Sequence, residues 1–406
     1  MVKAVLKKRK TKERSTPETH NTPPRWRILP PEIIHIIVEL LKHDQNTLRA
    51  CSLAAREFSH AALAHIGRHI TVNHVSRIKQ CTQLLTARSA FQHVCSLDLG
   101  VTSKSSNPEG YLEEQLTILE IFAQRQTLTC LWLSNMPFPS IKLGQRERIR
   151  GIVTTLGSTV NNLGLYWCRF PSYVDMISFI RAFPHCKSLY VRDCVATGEN
   201  TSGDMFSGLL EYKISLDVLE LTSASSDELI LDVSSLIEDA ALDVSQLSTL
   251  TCSVRSAEQA QCVAMATSAS LIHHFQLACT VPGGFQAFFN PIAYKWSLES
   301  LTIGPMSHTT NYAFWQDAFQ NFPNVPHLKE FIVIYYYPNA NAFDMSCWVY
   351  FGTLLCRGDI FPRFMDVDIR TTIRSLSLSD SRQRYLIETL WPLMMRRHVT
   401  FWGRCE

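Results

Sequence analysis

From about residue 90 onward, apolar and polar positions repeat in one pattern: apolar, two others, apolar, one other, apolar. It occurs as Val94/Leu97/Leu99, Leu128/Leu131/Leu133, Val160/Leu163/Leu165, Cys186/Leu189/Val191 and Leu216/Leu219/Leu221. It continues as Leu247/Leu250/Cys252, Ile272/Phe275/Leu277, Leu298/Leu301/Ile303, Leu328/Phe331/Val333 and Phe364/Val367/Ile369. The middle residues of successive copies lie 25 to 36 positions apart. Alternation at the last two apolar positions predicts a half-buried strand. Between copies the spacing becomes helical: Leu112, Leu116, Leu119 and Phe122 share a face, as do Ile149, Ile152, Val153 and Leu156, and Val174, Ile177 and Ile180. Pro184, Pro326 and Pro362 stand two residues before their triads, where proline ends a helix and favours an extended run. Strand, helix and strand again every 30 or so residues is a βα unit, and right-handed crossovers make neighbouring strands parallel. One unit cannot bury both of its faces, so the units must stack.

Residues 28–58 carry a different pattern. Leu29-Pro30-Pro31-Glu32 opens a dense apolar run in which Ile33, Ile36, Ile37, Leu40 and Leu41 recur at helical spacing, with Ile34 and Val38 widening the apolar face. Pro31 suits a first helical position, and Glu32 complements the positive end of the helix dipole. The polar stretch 42–46 ends this helix, and Asp44 or Asn46 can cap a second one through Leu48, Cys51, Leu53 and Phe58. A third helix is expected over residues 60–67. Two helices this short cannot cover their own apolar surface, so either the rest of the chain or another protein does.

Composition narrows the classes. No run approaches the roughly 18 apolar residues of a membrane span, and the N-terminus lacks the apolar region of a secretory signal. The 13 cysteines are scattered and never form Cys-x-x-Cys, which points to reduced, mostly buried thiols in a cytoplasmic or nuclear protein. Charge is uneven. Residues 1–27 hold nine Lys/Arg against Glu13 and Glu18, so this segment is +7 while the whole chain is +3. Such a tail is too polar to fold by itself and is expected to be disordered, and Lys7 to Lys12 can be read as a nuclear-import signal. The remainder, about −4, lacks the basic excess of a nucleic-acid binder.

The N-terminal stretch resembles the F-box, a helical module that docks on the Skp-type adaptor of cullin-RING ubiquitin ligases. The matching residues are Leu29-Pro30-Pro31-Glu32-Ile33-Ile34, then Ile36-Ile37 and Leu40, then Leu48, Cys51, Ser52-Leu53 and Arg56. Where the family usually has Val-Cys-Arg-x-Trp, this chain has Ala54-Ala55-Arg56-Glu57-Phe58, which keeps an aromatic but not the bulky pair before it. The resemblance implies adaptor binding through Leu29, Pro30, Pro31, Glu32, Ile33, Ile36, Ile37, Leu40, Leu48, Cys51 and Leu53, and through the adaptor a cullin scaffold.

The repeat resembles a degenerate leucine-rich repeat. In that family a buried Asn or Cys follows the last triad residue by three positions and satisfies turn amides. Cys168 and Cys194 stand there in this chain, whereas the other copies have Thr102, Met136, Ala224, Arg255, Thr280, Met306, Tyr336 and Thr372. The expectation is an α/β chain in three parts: a basic tail (1–27), a helical F-box-like module (28–72) and an irregular βα solenoid with a parallel sheet (73–406). Residues 381–397 are expected to form a last helix and 398–402 a short strand, together capping the array from about residue 380. Residues 103–110, 196–204, 222–227 and 338–341 carry turn residues and are expected to be exposed loops.

Chemistry is sparse. The chain has no P-loop, no Gly-x-Ser-x-Gly, no Gly-x-Gly-x-x-Gly and no His-Glu-x-x-His. His273 and His274 should face opposite ways on a strand, and most cysteines fall at core positions. No catalytic residue, metal ligand or cofactor is expected, and neither nucleic acid nor membrane is an expected partner. The solenoid offers a concave face instead. Its exposed column is the residue between the last two apolar positions: Asp98, Trp132, Gly164, Tyr190, Glu220, Thr251, Gln276, Thr302, Ile332 and Asp368. Trp132 and Tyr190 are hot-spot residue types, and Asp98 and Glu220 add acidity toward a basic partner. The combined expectation is a non-enzymatic substrate receptor of an SCF-type ubiquitin ligase holding a target protein on its repeats. The alternative is a binding scaffold outside any ligase.

Overall fold

Each of the ten triads falls at a strand that joins one parallel ladder. The computed structural model describes residues 29–42, 44–87, 93–100, 111–197, 205–206, 213–222, 236–237, 239, 242–254, 256–279, 297–306, 327–337, 366–373 and 398–405. The chain divides into two units at Ile66/Gly67.

The second unit is a 12-stranded sheet whose strands follow chain order. They are β1 (His69–Val72), β2 (Ser96–Gly100), β3 (Cys130–Ser134), β4 (Asn162–Tyr166), β6 (Ser188–Arg192) and β9 (Val218–Thr222). After these come β11 (Thr249–Val254), β12 (His274–Cys279), β13 (Ser300–Met306), β14 (Glu330–Tyr337), β15 (Asp366–Ile373) and β16 (His398–Cys405). Two short pairs lie outside it, β5 (Arg169–Phe170) with β7 (Val195–Ala196) and β8 (Ile214–Ser215) with β10 (Leu242–Asp243). The fold class is therefore the expected one, an α/β solenoid built on parallel strands. His69–Val72 pairs in register with Ser96–Leu99, so a segment grouped by sequence with the N-terminal module is the first rung of the ladder. Its apolar pair Ile70/Val72 carries the period-2 signal, but without a third apolar residue upstream.

Among the described strands register is kept except at one irregularity between Ile303 and Met306, where β13 slips against β14. At the start of each ladder strand from β2 to β14, one carbonyl just before the preceding strand accepts two backbone N–H groups. Cys95 N and Ser96 N donate to Arg68 O at 3.0 and 2.9 Å, and Thr129 N and Cys130 N to Cys95 O at 2.8 and 2.9 Å. The same fork recurs at Thr129, Asn161, Lys187, Asp217, Ser248, His273 and Glu299. Unequal unit lengths are absorbed in the connections, while the strands stay aligned.

Helices α4 (Val75–Ala87), α5 (Leu112–Arg125), α6 (Leu143–Gly157), α7 (Tyr173–Arg181) and α8 (Ala257–Ala266) fill the described connections. The inward strand residues and the helices' apolar faces form one continuous core from Val72 to Val333. The predicted faces of α5 and α6 are buried. On α7, Val174 is 54% exposed and Met176 and Phe179 are buried with Ile177 and Ile180; the helix turns toward an aromatic cluster of Phe138, Phe170, Phe179 and Phe206. Arg148 ties α6 to α5, donating to Glu120 at 2.7 Å and Glu113 at 2.8 Å. The two cysteines at the predicted turn position are buried as expected, but they meet carbonyls rather than turn amides: Cys168 Sγ donates to Leu133 O and Cys194 Sγ to Leu165 O, both at 3.3 Å. The last strand runs to Cys405, beyond the expected end at Trp402. The expected helix at 381–397, and most of the expected loops, lie outside the described residues.

The first unit is a helical trio: α1 (Pro31–Leu40), α2 (Gln45–Ala54) and α3 (Arg56–Ile66). The third helix starts earlier than expected because the chain leaves α2 in an extended conformation at Ala55. Asp44 is the cap of α2, accepting from Asn46 N at 3.1 Å and Thr47 N at 3.0 Å.

One core feature works against stability. Gln115 on α5 is fully buried, and its side-chain Nε2 and Oε1 have no hydrogen-bond partner. An unpaired buried amide costs about 1–3 kcal/mol. Gln115→Met, nearly the same shape without the polar atoms, should raise the melting temperature of the purified protein in calorimetry; a fall would mean the amide is satisfied by something else, such as buried water.

Candidate functional site

Two surfaces stand out, one on each unit.

On the helical unit the apolar surface of α1 is split. Ile34 and Val38 point inward and form a small core with Leu48, Ala61 and Ala62, with Leu41, Cys51, Phe58 and Ile66 packed against it. The opposite stripe is open: Leu29 is 41% exposed, Ile33 42%, Ile36 55% and Leu40 80%. Spaced four, three and four residues apart, these side chains line one face of the helix and its entry. Leu53, at the end of α2, is 87% exposed. Pro30, Pro31 and Glu32 are exposed, and Ile37 and Cys51 are half-buried. Leu48 is the correction: expected on the docking surface, it is fully buried because α2 needs one large side chain to close against Ile34 and Val38. The two residues taken as widening the face, Ile34 and Val38, are the inner anchors.

On the ladder, the expected column is continuous. Asp98 pairs in register with Trp132, Trp132 with Gly164, Gly164 with Tyr190 and Tyr190 with Glu220. The column continues through Thr251, Gln276, Thr302, Ile332 and Asp368 to Thr400. Strand alternation places a second column two residues further on, Gly100, Ser134, Tyr166, Arg192 and Thr222. Reading only the residue inside each triad missed it, although the period-2 rule that found the first column predicts the second.

The two columns converge at β3, β4 and β6. A Cβ on Gly164 would come within 1.9 Å of Trp132 Cε3; the missing side chain is what lets the indole lie across β4. There it stacks on Tyr166 (centroids 5.6 Å apart, planes at 9°) and meets Tyr190 at 4.9 Å. Arg192 lies 5.4 Å from the Tyr166 ring centre and is held by Glu220 at 2.5 Å. Next along the chain, Trp167 is 51% exposed with φ +53°. The same turn position one unit earlier and one later is also left-handed, with φ +55° at Asn135 and +50° at Asp193. Asn and Asp tolerate that backbone; a bulky aromatic adopts it at an expense on the order of 1 kcal/mol.

These residues enclose a groove of about 480 Å³ lined by His69, Asp98, Trp132, Ser134, Tyr166, Trp167 and Arg192. Burial pushes the Asp98 carboxyl above its ordinary range, with His69 opposing the shift in part. Burial, reinforced by Glu220, pushes the Tyr166 hydroxyl up to about 12, with Arg192 acting the other way. Both His69 ring nitrogens engage hydroxyls, Ser96 at 2.7 Å and Thr71 at 2.9 Å. Neither is left for a carboxylate that would orient the ring as a general base. Among the described residues no group of three His, Cys, Asp or Glu could hold a metal ion, and no helix is long and apolar enough to cross a membrane. Cys51, Cys81, Cys95, Cys130, Cys168, Cys186, Cys194 and Cys262 are free thiols; burial holds Cys81 at about 11 and Cys186 at about 12.

No protein-family model matches the sequence, and no curated protein does. Among solved structures, the crystal structure of the Rad7 and Elc1 complex in yeast aligns over 84% of this chain and 88% of that one, with 11% identity and a TM-score of 0.37.

The aromatic surface makes a direct prediction. Gly164→Ala should drive the Trp132 ring off β4 and change the near-UV circular dichroism while leaving the far-UV spectrum intact; identical near-UV spectra would show that the ring does not rest on that glycine.

Proposed function

We propose that the chain is a substrate-recognition subunit of an SCF-type ubiquitin ligase, with residues 29–66 docking a Skp-type adaptor and the ladder holding a target protein. The observation that carries this reading is the open stripe of Leu29, Ile33, Ile36 and Leu40, with Leu53. A helical unit of fewer than about 40 residues rarely buries enough surface to stand without a disulfide, a metal or a partner. Among the described residues this one closes on five buried side chains, two of them alanines. It leaves larger apolar side chains in water than it covers, which is the signature of a surface meant for another polypeptide. The F-box resemblance of Leu29 to Arg56 names the partner class.

In this reading the chain supplies position and no chemistry. Ubiquitin transfer takes place on partner proteins, accelerated because target and donor are held on one assembly at high effective concentration. The buried or half-buried thiols, with Cys262 exposed, agree with a reducing compartment, cytoplasm or nucleus.

The test separates docking from folding. Ile36→Asp/Leu40→Asp should leave the protein folded and cut recovery of a co-expressed Skp-type adaptor at least about tenfold. Ile34→Asp should lose the adaptor by unfolding the helical trio, visible as lost helical signal. Equal adaptor recovery by wild type and the outward double variant would sink the reading.

A further inference from the structure

We propose that the groove on β1 to β6 is a subsite for an arginine side chain carried on an extended segment of the target. Its guanidinium would sit at Asp98 and its stem on the Trp132 and Trp167 rings. The proposal rests on reading the ladder as the target-binding part, and it adds the chemistry of what is bound.

Charge decides the sign. The groove's permanent cation, Arg192, is already neutralised by Glu220 at 2.5 Å and lies on the Tyr166 face. An incoming anion would have to displace that carboxylate. Asp98 is the opposite case. It is half-buried in the middle of the groove, and no Lys or Arg lies within ion-pair distance of it among the described residues. His69, which also lines the groove, has both ring nitrogens on hydroxyls. With Arg192 and Glu220 paired to each other, Asp98 is the carboxyl group of the groove lining that has no cation beside it among the described residues.

Shape selects among cations. Trp132 presents a broad ring held flat by Gly164 and Tyr166, and Trp167 stands exposed at the rim. A planar, weakly hydrated guanidinium both stacks on indole and forms a two-pronged hydrogen bond with a carboxylate; a compact, strongly hydrated ammonium does the second far less well. The left-handed backbone of Trp167 adds a second, independent pointer. At the two neighbouring turns the position is filled by residues suited to it, Asn135 and Asp193. Strain of this kind gathers at ligand clamps.

The probe is a set of fluorescein-labelled peptides, Ala-Gly-Ser-Ala-Xaa-Ala-Ser-Gly-Ala, with Arg, Lys, citrulline or Glu at Xaa. They are titrated by fluorescence anisotropy against the full-length protein and its Asp98→Asn variant. Citrulline keeps the shape of arginine without its charge. The wild type should bind the arginine peptide at least about tenfold tighter than the citrulline peptide, and Asp98→Asn should reduce that ratio below about threefold. The burial that disfavours the Asp98 charge means the variant should melt no lower than wild type, so lost discrimination is not lost folding. Equal affinity for arginine and citrulline, preference for glutamate, discrimination that survives Asp98→Asn, or no arginine binding up to about 1 mM would each overturn the proposal. Adaptor recovery through Ile36 and Leu40 does not involve Asp98, so failure here and failure of the ligase reading are distinguishable.

Discussion

The ladder depends on a backbone carbonyl that accepts two N–H groups at the threshold of each strand. A parallel strand has no tight turn to set its register, since its neighbour arrives only after a long crossover. In this chain the nine forked carbonyls from Arg68 to Glu299 do that work, each fixing where the next strand begins. Once the start is fixed, alternation does the rest. Triad positions face the core, and the residues between them fall into columns. Without the fork, a slip of one residue in any unit would move a leucine to water and a polar residue into the core.

This is why the strands were legible in the sequence. The triads mark a geometric invariant, and their first members, from Val94 to Leu328, are buried at the foot of each strand. Connections have no such invariant. Their lengths vary, and Val174 was misassigned because a helix of nine residues can rotate toward an aromatic cluster without breaking any pattern. The helical unit was legible in existence but not in orientation. Of the ten residues from Ile33 to Lys42, all but His35, Glu39 and Lys42 are apolar, so periodicity cannot say which face is inward. Leu48 decides it: α2 supplies one large inward side chain, and it meets Ile34 and Val38.

Natural folds depart from local consistency mainly where function requires it. The departures here gather in two places. On the helical unit they are isoleucines and leucines in water. On the ladder they are a glycine inside a strand, an uncompensated carboxylate among aromatic rings and a tryptophan in a left-handed turn. The glycine is compensated within the chain by the Trp132 ring that lies over it; the others have no such compensation among the described residues. Gln115 departs too, but it lies sealed in the core with no access for a partner.

The sheet's own spacing explains why an anchor would be concentrated rather than spread along the column. Parallel strands lie about 4.8 Å apart, while an extended peptide repeats its same-side residues every ~6.6 Å. A peptide crossing the strands therefore falls out of step with the column at once and comes back near register only after about four strand spacings, ~19 Å. Between those points its side chains meet gaps, and the polar residues Thr251, Gln276 and Thr302 impose nothing specific there. The five strands β1, β2, β3, β4 and β6 span one such interval, and the last three hold the Trp132, Tyr166 and Tyr190 cluster. One well-built subsite per interval is the most this geometry allows, so specificity would have to come from a single deep anchor.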